Sequence, residues 1–329
     1  MNQQSLILGF LSVGTLSLGM GTAQAANLAG SFGSSYTLNN LGSVAGVPTS
    51  YGGIAFKDAN TLLLGGSANT GGGSIYAISL TRSGTNNSIT SFGAPTLLAT
   101  APNIDGGLAF GPGGVLFYTG YDTNIIGQIK PGSTAPDKIT NLSTLTPNSV
   151  ASSVGSLAFV PSGFSGAGNF KIASYDAGTF YSASLVADGS GTFNIQNVSS
   201  PLTIGSGPEG IAYVAAGSPL FTSDSLLLSE YDANRISTFT VDGNGDPIVS
   251  SGQDFITGLN GAEGATIDPV TGDFLFSSFG ASNEIFQVQG FRAPVGAQAV
   301  PEPFTIISTL IGGTAAIRMR SKLKSTAKL

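Results

Sequence analysis

The chain has 329 residues, 48 of them Gly, with 41% hydrophobic and only 9% charged side chains; it is too apolar to be disordered and too rich in turn residues for a helical protein. It contains no Cys and no His. Disulfides, zinc–thiolate sites, Ser-His-Asp triads and imidazole proton shuttles are therefore excluded, and any chemistry falls to carboxylates, Tyr, Lys or Arg. The formal net charge is −6, but five of the 12 basic residues crowd the last dozen positions, so residues 26–300 carry 7 basic against 17 acidic side chains. A body this acidic, with no basic stripe, repels phosphate backbones and excludes nucleic acid as a partner.

Residues 5–23 are small and apolar and end at Ala23-Gln24-Ala25, the small-x-small pattern cut by signal peptidase. The glycines of this stretch oppose a buried helix, since each costs about 1 kcal/mol in a helix interior. A signal peptide over 1–25 is expected, and with it signal peptidase as a processing partner. Residues 26–293 form one domain with a period near 54. Its anchor is a short strand: Gly53-Ile54-Ala55-Phe56, Gly107-Leu108-Ala109-Phe110, Ser156-Leu157-Ala158-Phe159, Gly210-Ile211-Ala212-Tyr213 and Gly264-Ala265-Thr266-Ile267, at spacings of 54, 49, 54 and 54 residues. Self-similarity at such a period points to propellers or solenoids.

After each anchor come a turn, an apolar strand (61–64, 115–118, 170–174, 225–229, 274–278), a second turn and a third strand (75–80, 125–129, 180–185, 236–241, 285–288). All are short, β-branched or aromatic, and bounded by Gly, Asn, Asp or Pro. A fourth strand follows in the first four repeats, near 95–99, 138–142, 194–198 and 253–257, whereas the fifth repeat runs into Pro294 without one. The missing strand stands at the front, as Ser35-Tyr36-Thr37-Leu38-Asn39-Asn40-Leu41. The expected fold is all-β: a β-propeller of four-stranded blades, five in number with six as the alternative, closed by that N-terminal strand so that no sheet edge stays open. Gly and Ala at the anchors fit innermost strands, whose backbones crowd the axis.

The anchors Pro208-Glu209-Gly210-Ile211-Ala212 and Glu263-Gly264-Ala265-Thr266-Ile267-Asp268-Pro269 resemble blades of NHL and SMP-30/strictosidine-synthase-like propellers. The resemblance implies the fold more than an activity. In a four-stranded blade the residues before the first strand and the turn between the second and third strands emerge on one face. Asp105, Glu209 and Glu263 hold the first of these places, and Asp122, Asp176 and Asp232, each after a Tyr, hold the second. Converging there, they could take Ca²⁺ through oxygen ligands or supply an acid/base pair. Against this, an Asp at a turn commonly caps its own backbone, and a Tyr at a strand end packs on the next blade. Asp105 stands one residue out of register with the two glutamates. Asp242-Gly243-Asn244-Gly245-Asp246 resembles the start of a calcium loop, with Asp242, Asn244 and Asp246 as ligands, but Gln253 stands where the bidentate Glu belongs. Calcium is thus the one cofactor the sequence suggests.

A linker over 294–299 leads to 300–329, where Pro301-Glu302-Pro303 precedes an apolar stretch over 304–317 and a basic cluster. The order of motif, span and basic end resembles the PEP-CTERM sorting signal. That resemblance implies an exosortase-type processing partner, delivery to the cell surface or medium, and transient membrane contact. A helix of 14 residues spans about 21 Å, short of a hydrocarbon core of about 30 Å, which favours a processed anchor over a stable one.

Together these features suggest a secreted or surface-displayed propeller that binds a glycan or surface protein, or builds extracellular matrix. The alternative is a propeller hydrolase, either calcium-dependent and lactonase-like or a carboxylate-based glycosidase. An ordered ring of carboxylates around the axis favours the enzyme. Scattered charge on a flat face favours binding or structure. The missing His, and the absence of Trp, the usual sugar-stacking platform, weigh against an enzyme.

Overall fold

A computed structural model describes residues 26–280 and 282–293, and within them the chain forms 22 strands, four short 3-10 turns and no α-helix. Five antiparallel sheets, each built on four strands, follow one another in chain order as the blades of a propeller, and Leu202–Thr203 adds a short fifth strand to the third. The inner strands are Ile54–Asp58, Ile104–Phe110, Val154–Phe159, Pro208–Val214 and Ala262–Ile267. The second strands are Thr61–Gly66, Leu116–Gly120, Phe170–Ser174, Ser225–Glu230 and Phe274–Ser278. Five blades, not six, complete the circle.

Closure occurs as the sequence pattern suggests. Thr37–Gly42 pairs with Ile285–Gln289 of blade five, with Leu38 opposite Val288, so the first blade-forming strand completes the last sheet. A second N-terminal strand, Asn27–Leu28, adds to the outer edge of blade four opposite Thr257 and Ile256. Two residues carry too little pattern for this strand to be read from sequence. Residues 1–25 and 294–329, with the signal peptide, the linker and the Pro301-Glu302-Pro303 tail, lie outside the described residues.

Around the axis the inner strands touch backbone to backbone. A Cβ placed on Gly53 would meet Leu108 at 2.5 Å; on Gly107, the Leu157 amide at 2.7 Å; on Gly155, the Pro208 carbonyl at 2.3 Å; on Gly210, the Glu263 carbonyl at 2.3 Å; and on Gly264, the Gly53 Cα at 2.7 Å. The anchor glycines therefore set the diameter of the ring, because each removes a side chain that would hold neighbouring blades apart. Between blades the apolar faces interleave into five separate cores. Phe255, Phe274, Phe276 and Leu227 fill the junction of blades four and five, and Phe117, Phe170 and Tyr181 that of blades two and three. Polar links tie neighbouring blades together as well: Arg82 donates to both oxygens of Asp268 (2.7 and 3.0 Å) across blades one and five, and Lys138 pairs with Asp188 (2.7 Å) across blades two and three.

One backbone bond recurs in every blade. The amide of the residue after the second strand donates to the carbonyl just ahead of, or at the foot of, the inner strand: Ser67 to Thr49, Tyr121 to Asn103, Tyr175 to Ser153, Tyr231 to Gly207 and Phe279 to Gly261, at 2.7–3.1 Å. This bond fixes the end of the axis on which the site is built.

Candidate functional site

Asp105, Glu209 and Glu263 sit at the start of the inner strands of blades two, four and five. The sheet registers bring those starts level with the ends of the second strands: Ile104 faces Gly120, Pro208 faces Glu230 and Ala262 faces Ser278. All three carboxylates turn inward and meet on the axis, with one oxygen from each within 4.8 Å of the others. They are 0%, 3% and 2% exposed.

The one-residue offset of Asp105 is absorbed by a larger bulge. Ile104 and Leu108 face Gly120 and Tyr118, leaving two surplus residues in that inner strand, whereas Pro208 and Gly210 face Glu230 and Ser229 with one surplus residue. Blade five also carries one, between Ala262 and Ala265. Bulges re-aim a side chain in this way next to functional sites.

The electrostatics of the cluster are severe. Burial raises the Asp105 carboxyl to about 8 against its polar contacts. Glu209 is raised well above the ordinary range by burial and then by the Asp105 charge, and Glu263 by burial and then by Glu209 and Asp105. Asp105 Oδ2, Glu209 Oε2 and Glu263 Oε1 are buried with no hydrogen-bond donor among the described residues. Orphaned buried acceptors of this kind cost on the order of 1–3 kcal/mol each. One further polar side chain reaches the cluster. The Asn69 carboxamide, from the turn after the second strand of blade one, donates to Asp105 Oδ1 at 3.0 Å and to the Ile104 carbonyl at 3.3 Å. No motif marked Asn69; aligning the second turns of the repeats is the only signal that could have found it.

Three converging, donor-starved oxygens are what a cation needs. Oxygens bound to one calcium at about 2.3–2.6 Å lie no more than about 5 Å apart, and the triad meets that limit.

The second set of carboxylates does not join the triad. Asp122, Asp176 and Asp232 are exposed on the rim of the same face. Asp176 Oδ2 accepts the Ser153 amide at 2.8 Å, and Asp232 Oδ1 accepts the Tyr175 hydroxyl at 2.8 Å. The tyrosines before them do come together. Tyr121, Tyr175 and Tyr231, joined by Phe279, form an arc around the axis above the triad, with successive ring centroids 6.0, 6.0 and 6.2 Å apart. Phe279 occupies the same repeat position as the tyrosines, and Ser67 occupies it in blade one.

The Asp242–Asp246 loop lies elsewhere, at the junction of blades three and four. Asp242 Oδ1 accepts the Asn244 and Asp246 amides at 2.8 and 2.9 Å, closing its own turn. Asp246 Oδ1 takes the fully buried Lys171 Nζ at 2.5 Å and the Ser182 hydroxyl at 2.7 Å. An ammonium group thus already neutralises the loop's last carboxylate.

No family model and no curated protein matches the chain. Solved structures do resemble it. The PQQ-bound aldose sugar dehydrogenase of Streptomyces coelicolor is 17% identical, over 76% of this chain and 83% of that one, with a TM-score of 0.39. A putative gluconolactonase is 13% identical over 79% and 94% of the two chains (TM-score 0.43), and the glutaminyl cyclase of Myxococcus xanthus is 9% identical over 80% and 95% (TM-score 0.45). The expectation of a binding or structural protein is corrected at this point. The axial face holds three buried, converging carboxylates, not the flat face of scattered charge that favours binding or structure. At these identities the likeness is one of fold; neither reaction nor substrate is carried over from it.

Proposed function

We propose that the chain is a calcium-dependent, lactonase-like propeller hydrolase whose cation is held by Asp105, Glu209 and Glu263. The observation that carries this reading is the convergence of three buried carboxylates on the axis, one oxygen of each within 4.8 Å of the others, with one oxygen of each left without a donor among the described residues. A divalent cation bound there would supply Lewis-acid polarisation of an ester carbonyl and acidify a coordinated water. The residues of the chain do the rest. The three carboxylates neutralise and centre the charge, Asn69 orients Asp105, and burial among inner-strand backbones keeps bulk water away. With no His in the chain, a metal-based route is also the one that needs no imidazole.

The test is calcium-dependent hydrolysis of a panel of aliphatic and sugar lactones by the purified protein, with and without chelator. Hydrolysis that disappears in chelator and in Glu209→Gln supports the reading. Chelator-insensitive activity, or no hydrolysis with calcium saturating, refutes it.

The same proposal sets the enzyme outside the cell. Ala23-Gln24-Ala25 supports export, and Pro301-Glu302-Pro303 with its apolar stretch and basic end supports sorting by a PEP-CTERM-type, exosortase-processed tail. Signal peptidase and the sorting protease would then be its processing partners.

A further inference from the structure

The aromatic arc has a geometry of its own. Successive ring planes are turned by 78°, 73° and 65°, close to the roughly 72° that separates neighbouring blades of a five-bladed ring. Rings related by rotation about an axis differ in plane by the full rotation only when their planes stand parallel to it, so these four are upright. The long axis of Tyr175 runs tangentially, since its hydroxyl reaches Asp232 of the next blade at 2.8 Å. The Tyr231 hydroxyl likewise lies 4.0 Å from the Cβ position of Gly280, in the blade after its own. An upright ring with a tangential long axis presents its face to the axis. Ring faces, not edges, therefore wall the mouth.

The mouth lies in a negative field. The triad forms its floor, and Asp122, Asp176 and Asp232 form its rim. Arg235, on the adjoining hairpin, is turned to Glu230 and to Asp254 (3.0 Å). A divalent cation on the floor would leave the three floor carboxylates with an excess of negative charge, and the rim adds more. With centroids spaced as observed, a group on the axis stands about 5 Å from each ring, inside the roughly 6 Å over which a cation is drawn to an aromatic face. Blade one contributes Ser67 at the fifth position, which leaves one side of the wall low.

We propose that Tyr121, Tyr175, Tyr231 and Phe279 form a cage that binds an alkylammonium group on the propeller axis, with the remainder of the ligand leaving over Ser67. Ring faces and carboxylates together select positive charge, and the same groups reject phosphate and carboxylate ligands. This goes beyond the hydrolase reading and does not depend on it, because the cage is built from rings rather than from the metal ligands.

The probe is choline, compared with its uncharged isostere 3,3-dimethylbutan-1-ol, titrated by calorimetry and by tyrosine fluorescence; the chain has nine Tyr and no Trp to mask them. Choline should bind at least about tenfold more tightly than the isostere, with calcium or with chelator. Y175F/Y231F should keep that preference, and Y175L/Y231L, which keeps bulk but removes two ring faces, should lose it. Equal binding of the two probes, no choline binding, or an undiminished preference in Y175L/Y231L would overturn the proposal. Failure of lactone hydrolysis with the preference intact would count against the hydrolase alone.

Discussion

Asp105, Glu209 and Glu263 are three acids in a space where three negative charges cannot coexist without help. With no cation bound, the folded protein relieves this by holding protons. Burial pushes Asp105 up to about 8 in the folded chain and holds Glu209 and Glu263 well above their ordinary values, whereas all three titrate in the usual carboxylate range when unfolded. Between those values the folded state binds more protons than the unfolded one, so stability falls as pH rises. The calcium-free protein should therefore lose stability from about pH 4 to about pH 8. Saturating calcium should flatten that loss, and at a hundredfold excess over Kd it adds about 2.7 kcal/mol. Thermal melts across pH, with calcium and with chelator, measure both effects. Glu209→Gln, which takes one titrating acid out of the cluster, should flatten the pH dependence of the calcium-free melts and abolish the calcium-dependent shift. Much of this cluster is legible in the sequence, since Glu209 and Glu263 stand at equivalent repeat positions. Asp105 is legible only as an acid out of place, because a two-residue bulge leaves no trace in residue spacing.

The hairpin over Asp242–Asp246 shows the opposite failure, a motif read as a ligand loop that serves as a clamp between blades. Lys171 has no exposed side-chain surface, and Asp246 is its partner from the adjacent sheet. The sequence warns of this only through Gln253 in place of the bidentate Glu, because nothing local marks a Lys in a strand as inward-facing. Asp246→Ala leaves a buried ammonium without its counter-charge and should cost about 3 kcal/mol in urea unfolding. The double variant Lys171→Met/Asp246→Leu, which removes both charges, should recover most of that loss. The aromatic arc was legible only in part. Tyr121, Tyr175 and Tyr231 precede Asp residues in three repeats, but Phe279 and Ser67 show their place only when the second strands are aligned by the backbone bond common to all blades.

The ring as a whole was the most legible feature, because five anchors at a near-constant period leave few ways to bury their apolar strands. The two ends of the domain are joined by the pairing of Thr37–Gly42 with blade five. Deleting residues 26–42 should expose the Ile285–Gln289 edge and yield an aggregating or cold-labile protein. Appending that segment after residue 293 instead should restore a cooperative melt. Outside the ring, the tail motif predicts that material recovered from the medium lacks the sequence near and beyond residue 304, which intact-mass analysis reads directly; a full-length product held in the inner membrane would contradict it. The measurement that decides whether the axis is a cation site is terbium luminescence. The chain has no Trp, and Tyr121, Tyr175 and Tyr231 feel the charge of the triad beneath them, so terbium bound there would be sensitised by tyrosine excitation. The expected result is terbium emission that calcium displaces and that Glu209→Gln/Glu263→Gln abolishes. Absence of sensitised emission from the native protein, or emission undiminished in the double variant, would contradict a metal on the axis.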